Sequence, residues 1–92
     1  MKTKVVFLIH EDEYGLDLFA FFPEVNYSKF ADDFKMSYSK IGQHSSCSIG
    51  YAKESRLATK KERAELESEL KSIGYNNLLI YKRKPKLIRN KE

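Results

Sequence analysis

The chain contains a single cysteine, Cys47, so it cannot form an internal disulfide. Cysteine usage therefore gives no sign of an oxidising compartment, and we expect the protein in the cytoplasm. No apolar run approaches the roughly 20 residues that a helix needs to cross a bilayer. Residues 1–9 imitate the start of a signal peptide, but acidic residues follow them and no small-residue cleavage site does. We interpret them as a first strand, and we expect no membrane partner.

Common ligand-binding motifs are missing too. Gly42 and Gly50 stand alone, without a GxGxxG or Walker pattern, so a glycine-rich nucleotide loop is not supported. Closed zinc sites need four ligands, which usually arrive as paired motifs. The candidate ligands His10, His44 and Cys47 form no such pair and lack a fourth member, although a dimer could share one. We therefore predict neither a metal site nor a cofactor.

The composition is typical of one small globular domain. The chain has 92 residues, of which 41% are hydrophobic and 33% charged, a balance unlike that of disordered chains. A chain of this size buries only about 60–65% of its extended surface on folding. We therefore expect a thin core.

The net charge of +4 is unevenly distributed. Residues 1–50 carry five Lys and seven Asp or Glu, a net −2, whereas residues 51–92 carry twelve Lys or Arg and six Glu, a net +6. Most of the excess lies near the C-terminus, at Lys82, Arg83, Lys84, Lys86, Arg89 and Lys91. Such a run attracts phosphates, but it also keeps a last strand soluble and its edge unpaired, which is the interpretation we favour.

Two runs rich in β-branched and aromatic residues, 5–10 and 16–22, predict the strands of a β-hairpin. The polar segment 11–15 between them predicts a loop of about five residues. Both faces of the second strand carry large apolar groups. One face is expected to pack on a helix, and the face with Phe19 and Phe21 needs a second cover such as a partner subunit, so these two are interface candidates.

The middle of the chain is less regular. Pro23 is predicted to end the second strand, because it cannot donate to a sheet ladder. Residues 24–35 are ambiguous between a short helix and a structured loop. Residues 36–41 alternate and predict a third strand, while 47–52 are either a short strand or irregular.

The clearest local pattern is a helix over residues 60–73. Thr59 and Glu62 have the spacing of a capping box, and Gly74 stands where a left-handed cap is needed. The apolar stripe at helical spacing consists of Leu66, Leu70 and Ile73. Residues 78–81 predict a final strand that extends toward Arg83.

Together these elements predict an α+β domain over residues 1–84, followed by a basic tail at 85–92. The domain would hold a small antiparallel sheet of about four strands, with one main amphipathic helix on one face.

Part of the sequence resembles a group of short uncharacterised bacterial proteins, found in gut Bacteroidetes and associated with phages or mobile elements. The shared pattern is Tyr38, Ile41-Gly42-Gln43-His44, Ser46-Cys47-Ser48, then Arg56, Ala58-Thr59 and Ser72-Ile73-Gly74-Tyr75. The resemblance covers roughly residues 36–81. It implies a single small domain with a shared loop, and it implies no activity. Residues 24–35 and the basic tail look particular to this chain.

The polar stretch 41–47 suits neither a core helix nor a buried strand, and it predicts a loop of the kind that carries binding or chemistry. The candidate binding residues are Tyr38, Gln43, His44, Ser45 and Ser46. His44 and Cys47 are also the candidates for a base and a nucleophile, which would further need an orienting group and an oxyanion hole. The alternative is a hydrogen-bonded histidine beside a half-buried cysteine, and we favour it.

Three functions stay open from the sequence. We favour a small non-enzymatic binding module that associates with itself, as a dimer, and with a protein whose identity the residues do not encode. The second is a nucleic-acid-associated accessory protein that uses the basic residues from Lys82 to Lys91, with aromatic side chains that stack on bases. The third is an enzyme built on His44 and Cys47.

Overall fold

The structure is a computed structural model, and it describes residues 2–26, 34–39 and 42–85. These ranges hold six strands and two helices. In chain order they are β1 (Thr3–Asp12), β2 (Gly15–Asn26), β3 (Phe34–Ser39), β4 (His44–Ser48), α1 (Ile49–Glu54), β5 (Arg56–Leu57), α2 (Lys60–Ser72) and β6 (Leu78–Ile80). The predicted α+β class is confirmed. The sheet has more strands than the predicted four or so, and a second, shorter helix accompanies the predicted main helix.

The strands form one sheet in the order β4-β3-β2-β1-β5, with β6 also paired to β1. β1 is long enough for two short neighbours on one side: β5 lies beside Leu8 and Ile9, and β6 lies beside its first three residues. β6 runs parallel to β1, while the other pairs are antiparallel. The final strand is present and starts at Leu78 as predicted, but it ends at Ile80, so its expected extension to Arg83 is wrong.

Two details of the hairpin differ from the prediction. Asp12 pairs with Gly15, so the turn consists of two residues rather than about five. β2 also continues past Pro23 to Asn26, with a shift of register against β3 between Phe22 and Asn26. Proline is tolerated at such an irregularity, because the ladder there needs no donor from it. Of the ambiguous segment 24–35, both ends are strand, and residues 27–33 lie outside the described residues.

Each face of the sheet is covered by one helix. The face beneath α2, here called the α2 face, buries Val5, Phe7, Ile9, Ala20, Phe22 and Tyr38 against Leu66 and Leu70. The opposite face, the α1 face, buries Val6, Leu8, Phe19, Phe21 and Cys47 against Ile49 and Ala52. Strand side chains alternate between faces, so the continuous apolar run of β1 supplies both cores.

The cover over Phe19 and Phe21 comes from the same chain. Phe19 is 4% exposed and Phe21 is fully buried, because α1 packs over them. The expectation that a partner subunit would supply this cover is therefore corrected. Ser48 begins α1 as a cap, since its hydroxyl oxygen accepts a hydrogen bond from the amide of Tyr51 at 3.1 Å.

The predicted capping box of α2 is present, with reciprocal bonds between Thr59 and Glu62. Gly74 follows the helix with φ of 115°, a left-handed conformation that favours glycine. The apolar stripe is only partly confirmed, because Leu66 and Leu70 are buried while Ile73 stays 47% exposed. Neither helix in the described part of the chain has the length and apolar character to cross a membrane.

Candidate functional site

The polar stretch predicted as a loop largely forms β4. Its residues pair with β3 in a regular register, with His44 opposite Tyr38 and Ser46 opposite Met36. A tight turn joins the two strands: the Ser39 amide donates to the Gln43 carbonyl, and Gly42 has φ of 91°. Serines have low strand propensity, but pairing with a neighbouring strand overrides it. The turn and β4 thus place the candidate binding residues along one edge of the sheet.

On the α2 face, His44 belongs to a cluster of hydrogen-bonded aromatic residues. Its Nε2 lies 2.7 Å from the Tyr75 hydroxyl, and its ring meets the Tyr38 ring edge-on at 4.9 Å. The Tyr38 hydroxyl donates to a Glu69 carboxylate oxygen at 3.0 Å. Desolvation, and then this bond to Glu69, raise the pKa of Tyr38. These contacts connect β3 and β4 to α2 and to the residues that follow it.

Cys47 lies on the other face of β4. It is 7% exposed and packs in the apolar cluster beneath α1. Burial, with a smaller effect from the Asp17 carboxylate, raises the pKa of the Cys47 thiol to about 12. His44 and Cys47 therefore do not meet, because residues three apart in a strand point to opposite sides. The imidazole is not placed to take the thiol proton, so the geometry does not support a nucleophile–base pair.

We expect Cys47 to alkylate slowly, and His44→Ala to leave that rate unchanged. With a pKa of about 12, only about one thiol in a thousand is ionised near pH 9, so the rate should rise only toward strongly alkaline pH. The measurement is the iodoacetamide rate against pH for both proteins, with urea-unfolded chain as the reactive reference. Rapid reaction at neutral pH that His44→Ala abolishes would contradict this expectation.

The α1 face holds an open cleft of about 340 Å³ beside α1, here called the serine cleft. Its lining includes Asp17, Phe19, Ser37, Ser39, Ser45 and Tyr51. The strand register brings these side chains together, because Phe19 pairs with Ser39 and Ser37 pairs with Ser45. Of this lining, the sequence analysis singled out Ser45, Ser46 and Cys47 as binding or catalytic candidates, and it missed Asp17, Ser37 and Ser39. The signal available in the sequence was the alternation in β3. Ser37 and Ser39 form a polar face of this strand, whereas Met36 and Tyr38 form an apolar one.

The hydroxyl groups of the serine cleft are oriented by internal hydrogen bonds. Ser37 donates to the Ser45 carbonyl at 3.0 Å, and Ser39 donates to the Gln43 carbonyl at 3.2 Å. The Tyr51 hydroxyl donates to Asp17 at 2.7 Å. In these bonds the three hydroxyl groups act as donors, so their oxygen lone pairs can still accept hydrogen bonds.

The outer side of β4 is an edge of the sheet. Because the Ser39 amide bonds to the Gln43 carbonyl, the alternation of an antiparallel ladder turns the backbone N–H and C=O groups of His44 and Ser46 away from β3. Within residues 2–26, 34–39 and 42–85, no strand pairs with that side. His44, Ser45 and Ser46 are exposed. We call the outward backbone groups of His44 and Ser46 the β4 edge; those of Ser45, between them, face β3.

His10 is held on the α1 face, apart from His44. Its ring stacks on Tyr51 with centroids 4.1 Å apart, and its nitrogens lie 3.9 Å from Asp12 and 3.8 Å from Glu54. The three ligands weighed from the sequence are thus not brought together. Across the residues that the structure describes, no group of three or more metal-binding side chains assembles.

The basic cluster near the C-terminus is partly engaged in structure. The Lys84 ammonium donates to the carbonyls of Lys53 and Ser55, where α1 ends. Cations at this end of a helix satisfy carbonyls that lack helical partners. Lys82 and Arg83 are exposed. Lys86 and Arg89 lie outside the described residues, so the nucleic-acid interpretation stays a prediction.

Comparison with known proteins returned no match among protein-family models, curated proteins or solved structures. The resemblance to short bacterial proteins therefore stays a prediction.

Proposed function

We propose that the protein is a small non-enzymatic binding module that associates through the β4 edge, in the first place with a second copy of itself. The observation that supports this is an exposed edge strand without the usual protection. β4 carries no lysine, no proline and no charged carboxylate, and its register with β3 shows no bulge. Monomeric sheet proteins commonly use such features to prevent a further strand from pairing.

The opposite side of the sheet differs. β5 has two residues, and its Arg56 forms ion pairs with Glu11 and Glu62. β6 has three residues and is followed by the basic run that starts at Lys82. Short strands and charged side chains make that side unsuitable for adding a strand. The asymmetry supports β4 as the edge that binds.

A second copy is a suitable occupant of the β4 edge. Two β4 strands can pair antiparallel about a two-fold axis, so that the same surface serves both copies. With the axis at Ser45, the outward groups of His44 in one copy lie opposite those of Ser46 in the other. Serine side chains are small and uncharged, so the pairing brings no like charges into contact.

Ser46→Pro should weaken self-association at least about tenfold, because each dimer loses two outward N–H donors worth about 1 kcal/mol apiece. The Ser46 amide faces away from β3, so proline removes no bond of the β3–β4 ladder. Analytical ultracentrifugation over a concentration series gives the dimer dissociation constant. Ser46→Ala is the matched control, since it keeps the amide and should associate like the parent chain.

Two results would contradict self-association through this edge. One is a parent chain that stays monomeric at millimolar concentration, and the other is equal association of the proline and alanine variants. If the parent chain stays monomeric, the next test is whether the same amides bind an extended segment of another protein by β-strand addition.

Cytoplasmic location belongs to this proposal. A buried, protonated Cys47 suits a reducing compartment.

A further inference from the structure

We propose that the serine cleft binds a cationic N–H donor, an ammonium or guanidinium group, carried by a free amine or by a lysine or arginine side chain. The hydrogen bonds of the cleft carry this inference. Ser37 and Ser39 donate their hydroxyl hydrogens to the Ser45 and Gln43 carbonyls, respectively. Tyr51 donates its hydroxyl hydrogen to Asp17. What these groups still offer is acceptor capacity, since a hydroxyl oxygen has two lone pairs and a carboxylate about four sites.

The charges around the serine cleft favour the same ligand. Asp17 supplies the one carboxyl group of the described lining. The Cys47 thiol and the Tyr51 hydroxyl stay neutral, because burial raises both pKa values. No lysine or arginine lines the cleft among the residues that the structure describes. Asp12 and Glu54 lie behind Tyr51, around His10. An anion entering here would meet a carboxylate and hydroxyl oxygens that present lone pairs.

The size of the cleft limits the ligand. A volume of about 340 Å³ is near the lower end of small-molecule sites, which run from roughly 300 to 1,000 Å³. The cleft is open to solvent on one side, and Phe19 and Tyr51 supply apolar surface beside the Asp17 carboxylate. This arrangement fits a charged head on a short aliphatic stem better than a nucleotide or an extended oligosaccharide.

The test is a titration of the ¹⁵N-labelled chain with putrescine, with agmatine and with the peptide Ala-Lys-Ala, followed by NMR. We expect saturable shifts at the Ser37, Ser39 and Ser45 amides with dissociation constants of about a millimolar. Sodium acetate, titrated to the same ionic strength, should leave the chemical shifts of these amides unchanged. Shifts from the peptide alone indicate a polypeptide source, and shifts from putrescine or agmatine alone indicate a free amine; both outcomes support the proposal.

Asp17→Asn supplies the variant arm. Asparagine can still accept the Tyr51 proton but carries no charge, so the fold is preserved while binding should weaken at least about tenfold. Glu65→Gln removes the same charge from an exposed site on α2, across the sheet, and should bind like the parent chain. The proposal is overturned if the parent chain shows no saturable shift to about 50 mM probe, if acetate shifts the same amides equally, or if Asp17→Asn, checked for its fold, binds unchanged. Putrescine and agmatine contain no peptide groups and cannot add a strand, so shifts that they cause are independent of the β4 edge. For the peptide, loss of the shifts in Asp17→Asn separates binding in the cleft from pairing at that edge.

Discussion

Phe21→Ser is expected to unfold the chain rather than to separate two copies of it. Phe21 has no exposed surface and packs beneath α1 with Val6 and Leu8. Truncating a buried phenylalanine costs about 3–5 kcal/mol, and the serine hydroxyl is left in an apolar cluster. Small domains have only about 5–15 kcal/mol in total, and one of this size lies toward the lower end. Urea unfolding followed by circular dichroism should show most of the free energy of unfolding lost.

Leu16→Ser is the matched control for this prediction. Leu16 is in the same strand but 62% exposed, so the same kind of change should alter the free energy of unfolding by less than about 1 kcal/mol. If Phe21→Ser kept the parent stability and lost only its self-association, the phenylalanine would be an interface residue after all. That outcome would contradict the position of α1.

The elements predicted correctly from the sequence have local signals. The hairpin follows from two β-rich runs around a polar turn, and α2 follows from its capping box and the glycine after it. α1 has no such signal, because six residues are too few to show a helical period or to be stable alone. Packing on Phe19 and Phe21 stabilises it, and that contact is known only once the strand order is known. β5 could not be predicted from a sequence pattern either, because two residues are too few to show the alternation of a strand.

The candidate site illustrates the same limit. A spacing of three between His44 and Cys47 brings two side chains together on a helix, where such residues share a face, but separates them on a strand. Choosing between these outcomes requires the conformation of the segment, and the glycine and serines favoured a loop. The serine cleft has no sequence motif at all, since three strands and a helix contribute to it. It becomes visible only through the register that sets Phe19 beside Ser39.

The second large effect is expected on the opposite face of the sheet, at Leu70. The helical spacing of the apolar residues in α2 predicts equal burial for Leu70 and Ile73, but Leu70 is fully buried and Ile73 is 47% exposed. Leu70→Ala should therefore cost about 2–5 kcal/mol of unfolding free energy, because it leaves a cavity among the side chains of the α2 face. Ile73→Ala, the matched control at the helix end, should cost less than about 1 kcal/mol. Urea denaturation measures both.

The difference between these two variants tests which face α2 presents to the sheet. Equal losses would mean that the helix is rotated toward Ile73 and that the Tyr38–Glu69 bond on the same helix does not form as described. A large loss at Leu70 alone fixes the helix in the observed orientation. The His44–Tyr75 contact then keeps the start of β4 against the α2 face, because Tyr75 is itself anchored by a bond from its amide to the Leu70 carbonyl. Leu70→Ala should accordingly loosen the β4 edge as well, since both depend on the end of α2.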